Sequence, residues 1–345
     1  MTTNKKITYS PPADWMKIQT IEMHTGGEPV RIITEGLPEI KGKTMLEKRR
    51  YFRKNLDFIR TGILFEPRGH SDMYGAIITP PVTPDGDFGA IFMHNEGYST
   101  MCGHATLALA RLAFDTGIVH ADRRKEVRID GPAGRLTARA HFEHGSITGT
   151  SFLNVPSFVL LKNEVVRVPR LGIVHFDIAY GGAFYAICQA DTLRLKLTPA
   201  SYRKLVTHGM AIKKAVMKHF KVVHPYEEDL GFLYGTIFTA KAENPSNHSR
   251  NVCIFANGEV DRSATGSGVS ARAALHYTHG ELETGKKITI ESIIGTTMDV
   301  SIKEAIRYAE FDAVIPEVSG ESYYTGRGEY WFDPNDPLKH GFLVR

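Results

Sequence analysis

Two stretches of this chain are apolar on almost every side. In Met101–Asp115, the residues Ala105, Leu107, Ala108, Leu109, Ala110, Leu112 and Ala113 are interrupted only by Thr106 and Arg111. In Asp261–Tyr277, Val269, Ala271, Ala273, Ala274 and Leu275 do the same. A helix without a polar face belongs at the centre of a structure, so each stretch predicts a central helix and the pair predicts two domains. Other segments show one-sided patterns. Thr44 with Glu47 forms a capping box opening a helix to about Thr61, with Met45, Phe52, Leu56 and Ile59 on its apolar side. The opposite side carries Lys48, Arg49, Arg50, Arg53 and Lys54 and is expected to face solvent. Thr198-Pro199 opens a helix to about Phe220 that buries Leu205, Ile212, Val216 and Phe220.

Between these helices the period shortens to two or to short apolar runs, the signature of strands. Met16–His24 alternates and ends in a turn, Thr25-Gly26-Gly27-Glu28-Pro29. The stretch from Ile63 to Met93 alternates apolar runs with Pro and Gly. Further strands are expected at Val127–Asp130, Leu136–Phe142, Thr148–Val155, Ile173–Tyr180 and Ala183–Gln189. Others follow at Tyr234–Ala240, Val252–Ala256, Ile288–Glu291, Met298–Ile302, Phe311–Val318 and Tyr330–Phe332. Val155-Pro156-Ser157 and Val168-Pro169-Arg170 are the places where the chain would pass between domains. The pattern divides the chain into a polar lead at 1–15, a first domain of 16–165 and a second of 166–332. The class is α/β (α+β).

Composition narrows the function. A chain of 345 residues with 42% hydrophobic content can bury a substantial core. A net charge of +4, spread along the chain, argues for neither nucleic acid nor a membrane surface as partner. No run approaches the roughly 18 apolar residues of a membrane span. The leading residues MTTNKKITYSPPADW lack an apolar signal core, so a cytoplasmic location is expected. Cys102, Cys188 and Cys253 have no metal-ligand spacing, and the last two lie in apolar runs as inert core residues. No dinucleotide or phosphate-loop motif is present, so neither a cofactor nor a metal is expected.

The helix starts hold the candidate chemistry. One opens Cys102-Gly103-His104 and the other Thr265-Gly266-Ser267. The first N–H groups of a helix lack internal partners and carry partial positive charge, and glycine lets a ligand approach them. Such an end binds a carboxylate, and its field favours a thiolate at Cys102. Two facing ends would grip one carboxylate with Cys102 on one side and Thr265 on the other, a site for moving the proton on the adjacent carbon. Thr265 is equally suited to be a plain N-cap.

The segments Glu22–Ile32, Phe65–Ile77, His94–Arg111, Asp177–Ile187, Asp261–Tyr277 and Asp336–Arg345 together resemble the proline racemase family. The resemblance implies two similar domains of the diaminopimelate epimerase-like/proline racemase fold, each a curved sheet around a central helix, with the active site in the cleft between them. It implies that the C-terminal segment, 333–345, returns to the first domain, which is then 16–165 plus 333–345, and that the cleft closes on its ligand. In racemases and epimerases of the family both helix starts carry cysteine, whereas Thr265 here marks the dehydratase branch. The activity implied is cofactor-independent dehydration of trans-3-hydroxy-L-proline to Δ1-pyrroline-2-carboxylate, with Cys102 as the single base and acid. The alternatives are a proline or 4-hydroxyproline racemase and a catalytically silent amino-acid-binding protein. The substrate contacts expected are Gly103, His104, Asp261, Gly266 and Ser267, with Asp261 beside the ring nitrogen. Glu66, His70 and Asp72 are expected to support the cleft or orient the hydroxyl, Tyr98 and Phe184 to pack on the ring, and His24 and Glu28 to brace the first domain. A homodimer is expected, with hydroxyproline as small-molecule partner.

Overall fold

A computed structural model describes residues 8–120 and 123–344. The first seven residues of the expected polar lead, and Arg345 of the C-terminal segment, lie outside the described residues. β1 (Met16–Thr25) buries Ile18, Thr20, Met23 and Thr25, as its alternation requires. Gly26 and Gly27 both take positive φ and reverse the chain. β2 (Glu28–Glu35) then runs antiparallel to β1, with Glu28 opposite Thr25. Glu28 and Pro29 thus belong to a strand and not to the turn expected there.

α1 (Met45–Asn55) starts as its cap predicts: Thr44 Oγ1 accepts from Glu47 N at 3.1 Å. Glu47 reaches one residue further back than a capping box does and accepts from Lys43 N at 2.7 Å. The helix does not reach Thr61 unbroken. It ends at Leu56 (φ −129, ψ 12) and restarts as α2 (Asp57–Leu64), where Asp57 pairs with Arg60. The kink sends Ile59 and Ile63 into the same small core as Phe52. Two of the five basic residues expected in solvent are buried. Lys48 Nζ donates to Pro80 O at 2.8 Å and Arg49 Nη2 to Tyr98 O at 3.0 Å, so backbone carbonyls compensate their burial.

β3 (Gly75–Thr79) is parallel to β2, β4 (Phe88–Met93) antiparallel to β3, and β5 (Glu126–Gly131) parallel to β4. β6 (Gly134–Glu143) and β7 (Ser146–Leu153) continue antiparallel. This sheet wraps α3 (Gly103–Asp115), in which only Arg111, Phe114 and Asp115 escape full burial.

The second half repeats the scheme. β8 (Ser157–Val168), β9 (Gly172–Tyr180) and β10 (Phe184–Gln189) are antiparallel neighbours. A short 3₁₀ turn at Pro199–Ser201 precedes α4 (Tyr202–His219). β11 (Leu233–Ala240) is parallel to β10 and antiparallel to β12 (Ser249–Phe255). The short β13 (Glu259–Val260) leads to α5 (Gly266–Thr278). β14 (Lys287–Glu291) is parallel to β12, and β15 (Thr297–Tyr308) and β16 (Phe311–Gly320) follow antiparallel. β16 pairs with β8 at Ala313–Val314, which closes a ring of strands around α5. Further along, β16 pairs with β7, joining the two halves. Each half therefore has a curved sheet with two parallel steps and one buried helix.

One strand was not expected and another exceeds its expected bounds. β8 fills the stretch between the two expected crossing points, and Pro156 lies just before it rather than inside it. The strand expected at Tyr330–Phe332 begins already at Ser322. This β17 (Ser322–Phe332) pairs with β1 along its whole length, so hydrogen bonding to β1 stabilises a stretch whose side chains are mostly exposed. The C-terminal segment reaches the first half, where Phe342 N donates to Glu66 O at 2.9 Å.

Candidate active site

The two apolar helices meet at their N-termini. A Cβ built on Gly103 would lie 2.4 Å from Gly266 Cα, and one built on Gly266 would lie 2.6 Å from Gly103 Cα. Neither approach is possible for any other residue, because nothing but backbone stands in the way. Paired glycines are therefore what let two helix starts share one small cavity.

Cys102 is the N-cap of α3, and its Sγ accepts from Ala105 N at 3.4 Å. Thr265 occupies the matching place before α5 in a different conformation. Its φ of 67° is in the left-handed region, where a β-branched residue is strained. Its side chain does not cap the helix, which removes the plain N-cap reading. The buried Oγ1 forms no hydrogen bond of normal geometry, although it lies near enough to Asp261 and Cys253 to favour their ionised forms.

Asp261, Ser263 and Thr265 form a chain. Ser263 N and Oγ donate to Asp261 Oδ1 at 2.8 and 2.7 Å, and Thr265 N donates to Ser263 Oγ at 3.1 Å. Both bonds fall on one oxygen of Asp261, which leaves Oδ2 for a ligand. Ser267 is held by Tyr185 through a hydroxyl pair at 2.6 Å. His104 Nδ1 lies 3.2 Å from Cys102 Sγ. Cys102, Gly103, His104, Asp261, Thr265, Gly266 and Ser267 all line this one cavity.

Burial governs ionisation here. It raises the Asp261 carboxyl to about 6, against the pull of the Ser263 hydrogen bonds. It lowers the His104 imidazole to about 3, despite an opposing contact with the Pro29 backbone, so the ring is neutral. Cys102 differs from its expected state. Burial pushes its thiol up, and the nearby Tyr74 hydroxyl and the hydrogen bond from Ala105 N only partly offset this. The nearby Asp261 and Glu28 carboxylates push the same way as burial. With the cavity closed the thiol form is favoured, and the helix field alone does not make a thiolate.

The remaining expected residues lie outside the cavity. Asp72 accepts from Arg262 Nη2 at 2.7 Å and from Tyr202 Oη at 3.0 Å, and so ties the halves together. His70 Nδ1 accepts from Asp72 N, and Glu66 meets Phe342. Tyr98 packs on Phe52 and donates to Asp57, and Phe184 packs among Tyr180 and Phe158; neither faces a ligand. His24 takes Gly27 N in its turn. Glu28 is fully buried and accepts from Arg262 N at 2.7 Å, next to Asp261.

What the sequence did not single out is the aromatic wall of Tyr74, Tyr185, Tyr234 and Phe255. Each lies at the end of, or within, an apolar strand run, where an aromatic residue reads as core. Among the described residues no cluster of three His, Cys, Asp or Glu side chains is arranged to hold a metal ion, and no helix is long and apolar enough to cross a membrane.

The proline racemase family model matches residues 20–343. A trans-3-hydroxy-L-proline dehydratase of Colwellia psychrerythraea is 49% identical over 332 residues, covering 96% of this chain and 94% of its own. One of Homo sapiens is 47% identical over 337 residues, covering 95% of each chain. Among solved structures, a hydroxyproline epimerase from Agrobacterium vitis with bound trans-4-hydroxy-L-proline superposes with a TM-score of 0.90 at 26% identity, covering 96% of each chain.

Proposed function

This chain belongs to the proline racemase family, and on that premise we propose that it dehydrates trans-3-hydroxy-L-proline, with Cys102 as the one group that moves protons. The observation that carries the reading is the asymmetry of the cavity: a thiol at one helix start, an alcohol at the other. The names of the relatives from Colwellia psychrerythraea and Homo sapiens point the same way.

The substrate's carboxylate fits against the N–H groups at the starts of α3 and α5, where dipoles and unpaired donors converge. Its ammonium pairs with Asp261. That positive charge, brought into a site holding Asp261 and Glu28, favours the Cys102 thiolate that burial and those carboxylates disfavour. The thiolate takes the Cα proton, and the negative charge that develops spreads into the carboxylate held by fixed donors. In this isomer the hydroxyl lies on the same ring face as the Cα hydrogen. The electron pair left at Cα forms the double bond to C3, the C3–O bond breaks, and the proton on Cys102 passes to the leaving hydroxyl as water. The enamine formed then tautomerises to Δ1-pyrroline-2-carboxylate. One group serves as base and then as acid, so nothing ionisable is required opposite.

Racemisation does require it. Thr265 has no accessible ionised form, and Cys253, although near Thr265, is buried in β12 and does not line the cavity. Thr265 instead fixes the position of the ring from the far side.

The test is product analysis on the purified protein. Trans-3-hydroxy-L-proline should yield Δ1-pyrroline-2-carboxylate, and L-proline should keep its optical rotation. Cys102→Ser should lower kcat by roughly 100- to 10,000-fold, the range of a positioned acid–base group. Absence of the imine, or full activity in that variant, would overturn the reading.

A further inference from the structure

One polar side chain shares the cavity with Cys102 but comes from the approach to a strand rather than from a helix start. Tyr74, immediately before β3, is almost wholly buried and its ring meets the His104 ring edge-on at 4.7 Å. Its hydroxyl lies 2.6 Å from Ser99 Oγ, which is itself fully buried. The same hydroxyl lies beside Cys102 Sγ and the Tyr234 side chain in the one cavity they line, close enough to act on both although neither contact has normal hydrogen-bond geometry here. A phenol has one proton to donate. If the Ser99 hydroxyl donates to the Tyr74 oxygen, the Tyr74 proton is directed to the sulfur.

We propose that Tyr74 is the positioning residue for the reactive sulfur: oriented by Ser99, its hydroxyl donates to Cys102 Sγ and holds the thiolate in the cavity. The proposal rests on the reading of Cys102 as the group that moves protons. It also gives the aromatic wall a chemical purpose. Water could solvate a thiolate in an open site, but here Cys102 is about 5% exposed and water is largely shut out. A hydrogen bond to an ion inside such a site is stronger than one in water. Ala105 N is the other donor to the sulfur, and it lies on the helix side. Tyr74 therefore leaves one flank of the sulfur open for the Cα proton. The other titratable groups near Cys102 do not duplicate this. His104 Nδ1 lies 3.2 Å from the sulfur, but with the ring proton turned to the Pro29 backbone that nitrogen is an acceptor; Asp261 and Glu28 oppose the thiolate. The Tyr185 hydroxyl is taken by Ser267, and Tyr234, stacked on Phe255, is directed to Tyr74 rather than to the sulfur.

The test measures the rate at which iodoacetamide alkylates Cys102, read by mass on its own peptide, across pH 6–10 in the wild type, Tyr74→Phe and Ser99→Ala. Only the thiolate reacts, so losing a donor to it lowers the rate at every pH below the midpoint. Tyr74→Phe should react about tenfold more slowly, the equivalent of about one pH unit. Ser99→Ala should shift the rate the same way by less. The phenyl ring preserves the packing on His104, and a looser cavity would speed alkylation, so a purely structural effect has the opposite sign. An unchanged or faster rate in Tyr74→Phe overturns the proposal, and should that variant fail to fold, an unchanged rate in Ser99→Ala does so. The two readings separate cleanly: slower alkylation without imine formation sinks the dehydration and keeps Tyr74, and imine formation with unchanged alkylation does the reverse.

Discussion

A carboxylate enclosed as Asp261 is prefers its proton, and Ser263 only partly offsets that preference. Its raised value, about 6 against the ordinary 3.8, has a thermodynamic consequence. Between those two values the folded protein binds a proton that the unfolded chain has released. The stability this contributes is complete below the unfolded value and is lost as pH rises through about 6. Glu28, also raised by burial, acts in the same direction. Asp261→Asn keeps an oxygen for Ser263 and removes the titration. It should therefore be more stable than the wild type at pH 7–8, by at most about 3 kcal/mol, and equal to it at pH 4. Thermal midpoints of both proteins from pH 4 to 8 check this, and parallel curves would show that Asp261 does not titrate in that range. Residues of this kind were half legible. The Cys-Gly-His and Thr-Gly-Ser openings stand out because two distant stretches share one design. The state of Cys102 did not, since it depends on burial and on the Tyr74 hydroxyl, both set by strands far away in the chain.

Elements were legible where local chemistry decides them. Thr44 opens α1 and the Gly26-Gly27 pair turns the chain, because a cap and a positive φ act within a few residues. Thr44→Ala should cost about 1 kcal/mol, read as a lower denaturant midpoint with unchanged slope. Turnover should be unaffected, since α1 packs in the smaller core around Phe52 and not on the cavity. A stability equal to wild type would mean that water or Glu47 replaces the cap. Where tertiary partners decide, the pattern misled. Lys48 and Arg49 look like a solvated face, yet carbonyls of Pro80 and Tyr98 draw them inside. Ser322–Tyr330 has few apolar residues and is a strand because β1 supplies its hydrogen bonds. Tyr98 and Phe184, placed on the ring by the family resemblance, pack away from the cavity.

At the scale of the whole molecule, a substrate cannot reach Cys102 or Thr265 as they stand, since both are nearly sealed from solvent. Binding therefore requires the two halves to part. The contacts that must break cross the seam in named places. Arg262 binds Asp72 through its side chain and Glu28 through its backbone N–H. Asn95 N donates to Glu259 Oε1 at 2.7 Å, and Thr296 Oγ1 to Gly26 O at 2.7 Å. Arg262 directly follows Asp261, so closing the seam and placing the Asp261 carboxylate, the proposed partner of the ammonium, are one movement. The Asp72–Arg262 pair is half-exposed on the arginine side, and about 1 kcal/mol is a reasonable share for it in the closed state. Asp72→Asn should then raise the open fraction roughly fivefold. Two readouts separate access to the sulfur from chemistry on it. Alkylation of Cys102 at a fixed pH should quicken about fivefold, because the reagent meets the sulfur more often. KM and kcat should both change little, because the pair is lost equally from the free and the substrate-bound closed states and the closed state in which chemistry occurs is unaltered once reached. An alkylation rate equal to wild type would mean that the pair does not hold the cleft, and a fall in kcat alone would make Asp72 part of the chemistry.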